Sequence, residues 1–166
     1  MSVTSDSSLT VVRLWSASTA ITRKIDLALG AIHGIGFNEY VVLSHLIAAP
    51  NKTLRRIDLA ESIGRTASGV TRMLLPMEKI GLVRKESNPR DARVSLVQIT
   101  ASGEEIYGYA TNTLDEKSAS LLGRLEKKEV KRLLKLACRE SVKCVKMAAP
   151  PIYCKPRTVE SLSCHA

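Results

Sequence analysis

The stretch Leu82–Thr100, LVRKESNPRDARVSLVQIT, contains two strand-like runs on either side of a polar loop. The first run alternates between two faces, and the second carries apolar residues on both of its faces. The pair Asn88-Pro89 between them is typical of a turn. We therefore predict a β-hairpin whose tip carries Arg90 and Arg93, a guanidinium pair suited to phosphate or minor-groove contact. Taken alone, such a hairpin is more often a surface loop with solvated charges.

Directly upstream, the sequence predicts two helices joined by a tight glycine turn. The first covers residues 55–63, and Gly64 follows it as a residue that tolerates the positive φ of a helix C-cap. Thr66 or Ser68 can cap the second helix, which runs to about Ile80. Its apolar face comprises Val70, Met73, Leu74, Met77 and Ile80. Because this geometry places the second helix in a DNA major groove, helix pair and hairpin together predict a winged helix-turn-helix.

Short hydroxyls and long hydrogen-bond donors cluster near the start of the second helix. They are Arg65, Thr66, Ser68, Thr71 and Arg72. Such side chains suit phosphate oxygens and base edges, which makes them candidate DNA contacts. The alternative is that Ser68 only caps the helix and Arg72 only solvates the surface. The hairpin that follows the helix pair favours DNA binding over that alternative.

Five motifs in this region resemble the multiple antibiotic resistance regulator (MarR) family. They are LAESIG at 59–64, GVTR at 69–72, MEKIGLVR at 77–84, DAR at 91–93 and ITASG at 99–103. The resemblance is specific from Leu54 to Gly103, and in element order it extends over about residues 9–148.

The resemblance implies a mainly α chain of the α+β type, folded as a winged helix-turn-helix with N- and C-terminal dimerisation helices. It also implies a homodimeric repressor whose partners are double-stranded palindromic operator DNA and a small aromatic or anionic effector. Carried over residue by residue, the segment from Gly69 to Arg72 falls in the recognition helix, and Asp91 and Arg93 fall in the wing. There the Asp would hold the Arg by a charge-assisted hydrogen bond. Pro76 departs from the family pattern, and we expect a bend there because proline cannot donate the helical bond.

Amphipathic helices flank this unit, and we expect them to bury their apolar faces against a second copy. They are predicted at about 9–32, 102–122 and 127–147. The second should bury Ile106, Tyr109, Ala110, Thr113 and Leu114. Asn38 is expected to cap a helix that Pro50 stops, and Thr53-Leu54 to add a short strand to the hairpin. The predicted domains are an N-terminal dimerisation helix at 1–36, a DNA-binding winged helix-turn-helix at 37–100, C-terminal dimerisation helices at 101–149 and a flexible tail at 150–166.

Composition agrees with this interpretation. The 166 residues carry a formal net charge of +9, which is the footprint of a protein that binds polyanions. No Gly-rich phosphate loop, HExxH or nucleophile motif is found, so we expect no catalytic residue and no enzyme. Cys138, Cys144, Cys154 and Cys164 lack metal-ligand spacing, and we expect neither a metal nor a cofactor. With no signal peptide and no long apolar run, a cytoplasmic protein without a membrane partner is expected.

Aromatic and imidazole side chains are the candidates for an effector site. Trp15, His33, Phe37, Tyr40, His45 and Tyr107 could line a cavity between the dimerisation helices and the DNA-binding lobe. Each of them could equally be an ordinary core residue. A different function also stays open, in which the winged helix contacts a protein or binds nucleic acid without sequence preference. Binding in the presence of competitor DNA would separate the two, because a regulator must discriminate between sequences.

Overall fold

The computed structural model describes residues 5–88 and 91–140, and at 87–88, 91–94 and 138–140 it describes the backbone alone. Its helices are α1 Asp6–His33, α2 Phe37–Ala48, α3 Arg56–Ser62, α4 Ala67–Lys79, α5 Ala101–Leu122 and α6 Lys127–Glu140. Its strands are β1 Thr53–Arg55, β2 Val83–Asn88 and β3 Asp91–Ile99. The mainly helical winged helix-turn-helix fold is therefore confirmed.

The three strands form one antiparallel sheet in the order β1-β3-β2. Val83 pairs with Ile99 and Lys85 with Val97, so the predicted hairpin and the short third strand are both confirmed. Val83, Val97 and Ile99 are buried on the inner face of the sheet, toward the helices. Leu82, which we expected within the first strand, precedes it as a buried residue.

The turn between α3 and α4 is fixed by backbone hydrogen bonds around Gly64. Gly64 has a φ of 62°, and the Arg65 N–H donates to the carbonyl of Ala60 at 2.9 Å. Thr66 is the N-cap of α4, and its hydroxyl accepts a hydrogen bond from the Gly69 N–H at 3.1 Å. The direction in which α4 leaves the turn is therefore set by hydrogen bonds within residues 60–69.

The inner face of α4 carries most of the apolar residues expected there. Val70, Leu74 and Met77 are buried in the core. Ile80 is 61% exposed, so its assignment to this face was wrong. The reason is that α4 ends at Lys79 and Ile80 is its C-cap, which turns away from the core. The helix continues through Pro76, and the bend expected at that residue stays a prediction.

α5 begins where the sheet ends, and its first turn packs closely against the chain before β2. The Thr100 hydroxyl accepts from the Gly103 N–H at 3.0 Å and donates to the carbonyl of Gly81 at 2.6 Å. A Cβ at Gly103 would lie only 2.1 Å from the carbonyl oxygen of Leu82, so no side chain fits there. Further along α5, Ala110 is buried as expected, but Tyr109 is 54% exposed and was wrongly placed on the core face.

The N-terminus of α2 corrects another expectation. Asn38 is not its cap, because the helix begins at Phe37 with Gly36 as N-cap and no side-chain cap of its own. Instead, the Phe37 N–H donates to a carboxylate oxygen of Asp26 in α1 at 2.6 Å. A Cβ at Gly36 would lie 2.5 Å from a Glu39 oxygen and 3.1 Å from Asp26. A carboxylate from a neighbouring helix therefore replaces the local cap.

Parts of the predicted C-terminal region lie outside the residues that the structure describes. α6 is described as far as Glu140, so its predicted end at 147, the tail at 150–166 and Cys144, Cys154 and Cys164 lie outside the described residues.

Among residues 5–88 and 91–140, no single helix is long and apolar enough to cross a membrane. Only α1 and α2 taken together, as a pair bent by 79°, reach that length and composition.

We predict that Asp26→Ala lowers the free energy of unfolding by about 0.5–2 kcal/mol, the usual range for loss of an N-cap. The matched control is Asn38→Ala, which removes the cap expected from the sequence. Because Asn38 is exposed and does not cap α2, we expect a change within about 0.5 kcal/mol. Urea unfolding of the three proteins measures both values, and a larger loss for Asn38→Ala would contradict the assigned cap.

Candidate nucleic-acid interface

The outward face of α4 is a continuous exposed stripe. Ser68, Arg72, Leu75 and Lys79 follow one another at intervals of three and four residues, and all four are exposed. They lie opposite the buried stripe of the same helix. A guanidinium and a hydroxyl thus project from the first half of a helix whose other face is fixed in the core, which is the arrangement that reads base edges.

The other candidate residues at the start of α4 contribute mainly to the helix itself. The Thr66 hydroxyl is the N-cap, and the Thr71 hydroxyl donates to the carbonyl of Ala67 at 2.8 Å. Gly69 allows the chain to pass Thr66 closely, because a Cβ there would lie 3.1 Å from the Thr66 hydroxyl oxygen. The side chain of Ser68 is exposed beside that cap.

Arg65 lies at the turn that leads into α4, and its side chain is exposed. Its Nη2 donates a hydrogen bond to Oδ1 of Asn38 in α2 at 3.2 Å. Within the described part of the chain, neither Arg65 nor Arg72 forms an ion pair. Both guanidinium groups therefore keep their full charge for an anionic partner.

The tip of the wing contains three of the predicted contacts. Arg90 lies outside the described residues, and Asp91 and Arg93 belong to β3 with only their backbone described. Asn88 pairs with Asp91 across the tip, after an irregularity in register that follows Ser87. The proposed Asp91–Arg93 bond stays a prediction.

The base of the wing holds polar contacts that the sequence analysis missed. The Arg84 Nε donates to the Gln98 side-chain oxygen at 2.7 Å, and an Arg84 nitrogen lies 3.1 Å from Glu86. The Gln98 amide in turn donates to the carbonyl of Asn51 at 3.3 Å. The only sequence signal for these contacts was the alternation that places Arg84 and Gln98 on one face. They tie β2 and β3 to the turn that precedes β1, on the face of the sheet away from the core.

Two cations close to the helix-turn-helix, Arg55 and Lys52, are paired with carboxylates. Arg55 donates two hydrogen bonds to Asp58, at 2.6 and 2.9 Å, and the bond and charge of that carboxylate raise the pKa of Arg55. Lys52 lies 2.5 Å from Glu104 of α5. Because these charges are already matched, they add less to a phosphate-binding surface than Arg65 and Arg72 do.

Three of the six candidate effector residues come together between α2 and α5. Tyr40 stacks on Tyr107 and on Phe37, with ring centroids 5.1 and 6.3 Å apart. The Tyr40 hydroxyl lies 3.1 Å from the Thr111 hydroxyl, and burial raises the pKa of Tyr40 well above its ordinary value. The stack is a packed element of the core that joins the DNA-binding lobe to a flanking helix.

The other three candidates, His33, His45 and Trp15, do not belong to this stack. His33 Nε2 lies 2.8 Å from the Thr113 hydroxyl of α5, and His45 is half-buried on α2. Trp15 is 69% exposed on α1. It lies about 27 Å along the helix from His33, at roughly 1.5 Å per residue. One chain therefore does not bring Trp15 into a common cavity with the others.

Burial lowers the pKa of His45 below its ordinary value of 6.5. The unfolded chain therefore binds more protons than the folded chain as the pH falls through about 6.5, and the free energy of unfolding should fall there. We predict that His45→Gln makes the free energy of unfolding less dependent on pH between about 7.5 and 5. Urea unfolding at several pH values measures the slope, and an unchanged slope in the variant would rule out His45 as its source.

Comparison with known proteins identifies the family. The sequence model of the MarR family matches residues 37–95, from α2 into β3. "Transcriptional regulator HosA" of Escherichia coli O111:H- is 33% identical over 98 residues, which are 59% of this chain and 71% of that protein. This chain belongs to the MarR family. It is a transcriptional regulator whose DNA-binding unit is the winged helix-turn-helix.

Solved structures of other MarR-family proteins share this fold. Sco3205 from Streptomyces coelicolor, solved in complex with DNA, has a TM-score of 0.74 and 24% identity, over 85% of this chain and 89% of that one. A MarR-family regulator from Rhodococcus sp. RHA1 has a TM-score of 0.75 and 16% identity, over 85% and 96% of the two chains. The flanking helices of this MarR-family chain are thus part of the shared architecture.

Proposed function

We propose that this MarR-family regulator binds palindromic operator DNA as a homodimer and represses transcription from the cytoplasm. The observation that carries the proposal is the outward face of α4, where the exposed Arg72 and Ser68 project from a helix fixed by its buried face. The basic hairpin beside it supplies a second contact in the adjacent groove. A net charge of +9 favours association with DNA over the protein-contact alternative.

The roles of the contacts follow from their places in the fold. We assign base readout to Arg72, with Thr71 beside it on the helix, and phosphate contact to Arg65 and Ser68 with the backbone around Thr66 and Gly69. These last two residues shape the start of the recognition helix. In the wing, we assign minor-groove or phosphate contact to Arg90 and Arg93, with Asp91 holding Arg93.

A homodimer is supported by the large apolar residues that one chain leaves exposed on its flanking helices. On α1 these are Leu9, Val11, Val12, Leu14, Trp15 and Ile21, and on α6 they are Leu133 and Leu134. Apolar surface of this extent marks an interaction site. We therefore assign residues 1–36 and 101–149 to dimerisation and 37–100 to DNA binding. Two recognition helices would then meet DNA about one turn, or roughly 34 Å, apart.

A small aromatic or anionic effector would release the DNA by binding between the DNA-binding lobe and the flanking helices. The stack of Phe37, Tyr40 and Tyr107 supports this proposal, because it joins α2 of the DNA-binding lobe to α5. His33 contacts Thr113 of α5 and His45 is half-buried on α2, and we assign both as polar groups of this site. A ligand that separates α2 from α5 would change the spacing of the two recognition helices.

We predict that Arg72→Ala weakens binding to the cognate operator by about 1–3 kcal/mol, the range for one good base contact. The control is Lys79→Ala, which removes a charge from the far end of the same stripe and should cost little and equally on any DNA. The operator is first found by sequencing genomic fragments that the protein retains, and fluorescence anisotropy then compares it with random DNA. Equal loss on both DNAs would place Arg72 on the phosphate backbone.

We predict that Leu134→Glu weakens both self-association and operator binding, because a charge would enter the apolar stripe of α6 that also holds Val130. Leu136→Glu is the matched control. It is a similarly exposed leucine on the same helix, but it points away from that stripe. Analytical ultracentrifugation measures the dimer and anisotropy the affinity. A monomer that still binds a palindrome tightly would contradict the homodimer.

A further inference from the structure

The backbone at Arg65 is held in a fixed position directly before the recognition helix. Gly64 adopts a positive φ, the Arg65 N–H is bonded to the carbonyl of Ala60, and the next residue, Thr66, is the N-cap of α4. Arg65 therefore emerges where the exposed N–H groups and the positive end of the α4 dipole would face a phosphate. Its long side chain, however, is exposed and needs something to direct it.

Asn38 supplies that direction from a different helix. It is the second residue of α2, it is exposed, and it does not cap its own helix. Its Oδ1 accepts a hydrogen bond from Arg65 Nη2 at 3.2 Å, across 27 positions of sequence. A guanidinium has five N–H donors, so this bond leaves the other donors available.

Asn38 is neutral, and this sets Arg65 apart from the cations that carboxylates hold around the domain. Arg55, Arg84 and Lys52 are held by Asp58, Glu86 and Glu104, which offset their charges. The amide of Asn38 orients the guanidinium but carries no charge, so the electrostatic attraction of Arg65 for a phosphate is kept in full.

We propose that Asn38 is a positioning residue that holds Arg65 against a DNA phosphate at the start of the recognition helix. The proposal rests on the proposed function, since it requires that this face of α4 meets DNA. The contact is with the backbone, so it adds affinity and fixes the register of α4 without distinguishing one sequence from another.

Four variants test this proposal: Asn38→Ala, Asn38→Asp, Arg65→Ala and the double variant Asn38→Ala/Arg65→Ala. Anisotropy is measured on the selected operator and on a random duplex, each over a series of salt concentrations. Arg65→Ala should reduce the slope of log affinity against log salt by about 0.9, the value for one lost phosphate contact. Asn38→Asp should also lower the slope, because its carboxylate would neutralise the cation that it holds.

Asn38→Ala should behave differently from Asn38→Asp. It removes the orienting bond but not the charge, so we expect binding to weaken about two- to tenfold, the equivalent of one hydrogen bond. The salt slope should stay nearly unchanged, and the loss should be the same on both DNAs. In the Arg65→Ala background, Asn38→Ala should have no further effect. Ser102→Asp, which adds the same charge at an exposed site on α5, is the control and should leave the slope nearly unchanged.

Several outcomes would overturn the positioning role. They are an Asn38→Ala protein that binds as the wild type does, an equal loss from Asn38→Ala with and without Arg65, or an Asn38→Asp protein with an unchanged salt slope. Thermal unfolding of each variant shows whether the fold is kept, which exposure of both side chains leads us to expect. If the wild type binds operator and random DNA equally, the sequence-specific function fails, while the salt slopes on random DNA still decide the role of Asn38.

Discussion

The backbone of Leu82 is the point on which the arrangement of the domain depends. Its N–H bonds to the carbonyl of Met77 at the end of α4, and its carbonyl accepts from the N–H of Thr100 at the end of β3. The first turn of α5 lies against the same carbonyl because residue 103 is glycine. The recognition helix, the wing and α5 thus meet at the backbone of one residue. A shift of α5 would therefore be transmitted to the two elements that face DNA.

The local parts of the fold could be predicted from the sequence because their causes are local. The glycine turn at Gly64, the cap at Thr66 and the alternating strands each depend on residues within a few positions. The role of Asn38 was predicted wrongly because the cap of α2 comes from Asp26, which lies on another helix, eleven positions before Phe37. Ile80 and Tyr109 were misplaced because periodicity gives the direction of a stripe but not where the neighbouring elements stop covering it.

At the candidate nucleic-acid interface, too, local features could be predicted from the sequence and contacts between distant residues could not. Ser68 and Arg72 were identified from their place on one helix, and the structure shows both exposed on its outward face. The Arg84–Gln98 and Asn38–Arg65 contacts join residues 14 and 27 positions apart, so no local sequence motif predicts them. Trp15 was grouped with the other aromatic residues by type alone, although the length of α1 separates it from them.

Exposure of the first half of α1 has a consequence for the lifetime of the protein at low concentration. Residues 6–21 are all exposed, so the rest of the described chain does not cover them, and a helical segment of this length is only marginally stable in water without packing. In the proposed homodimer, a second copy supplies the missing cover. The order of this segment then depends on protein concentration through mass action. A dilute, newly made chain would present an apolar, loosely held segment to proteases, and its lifetime would lengthen as copies accumulate.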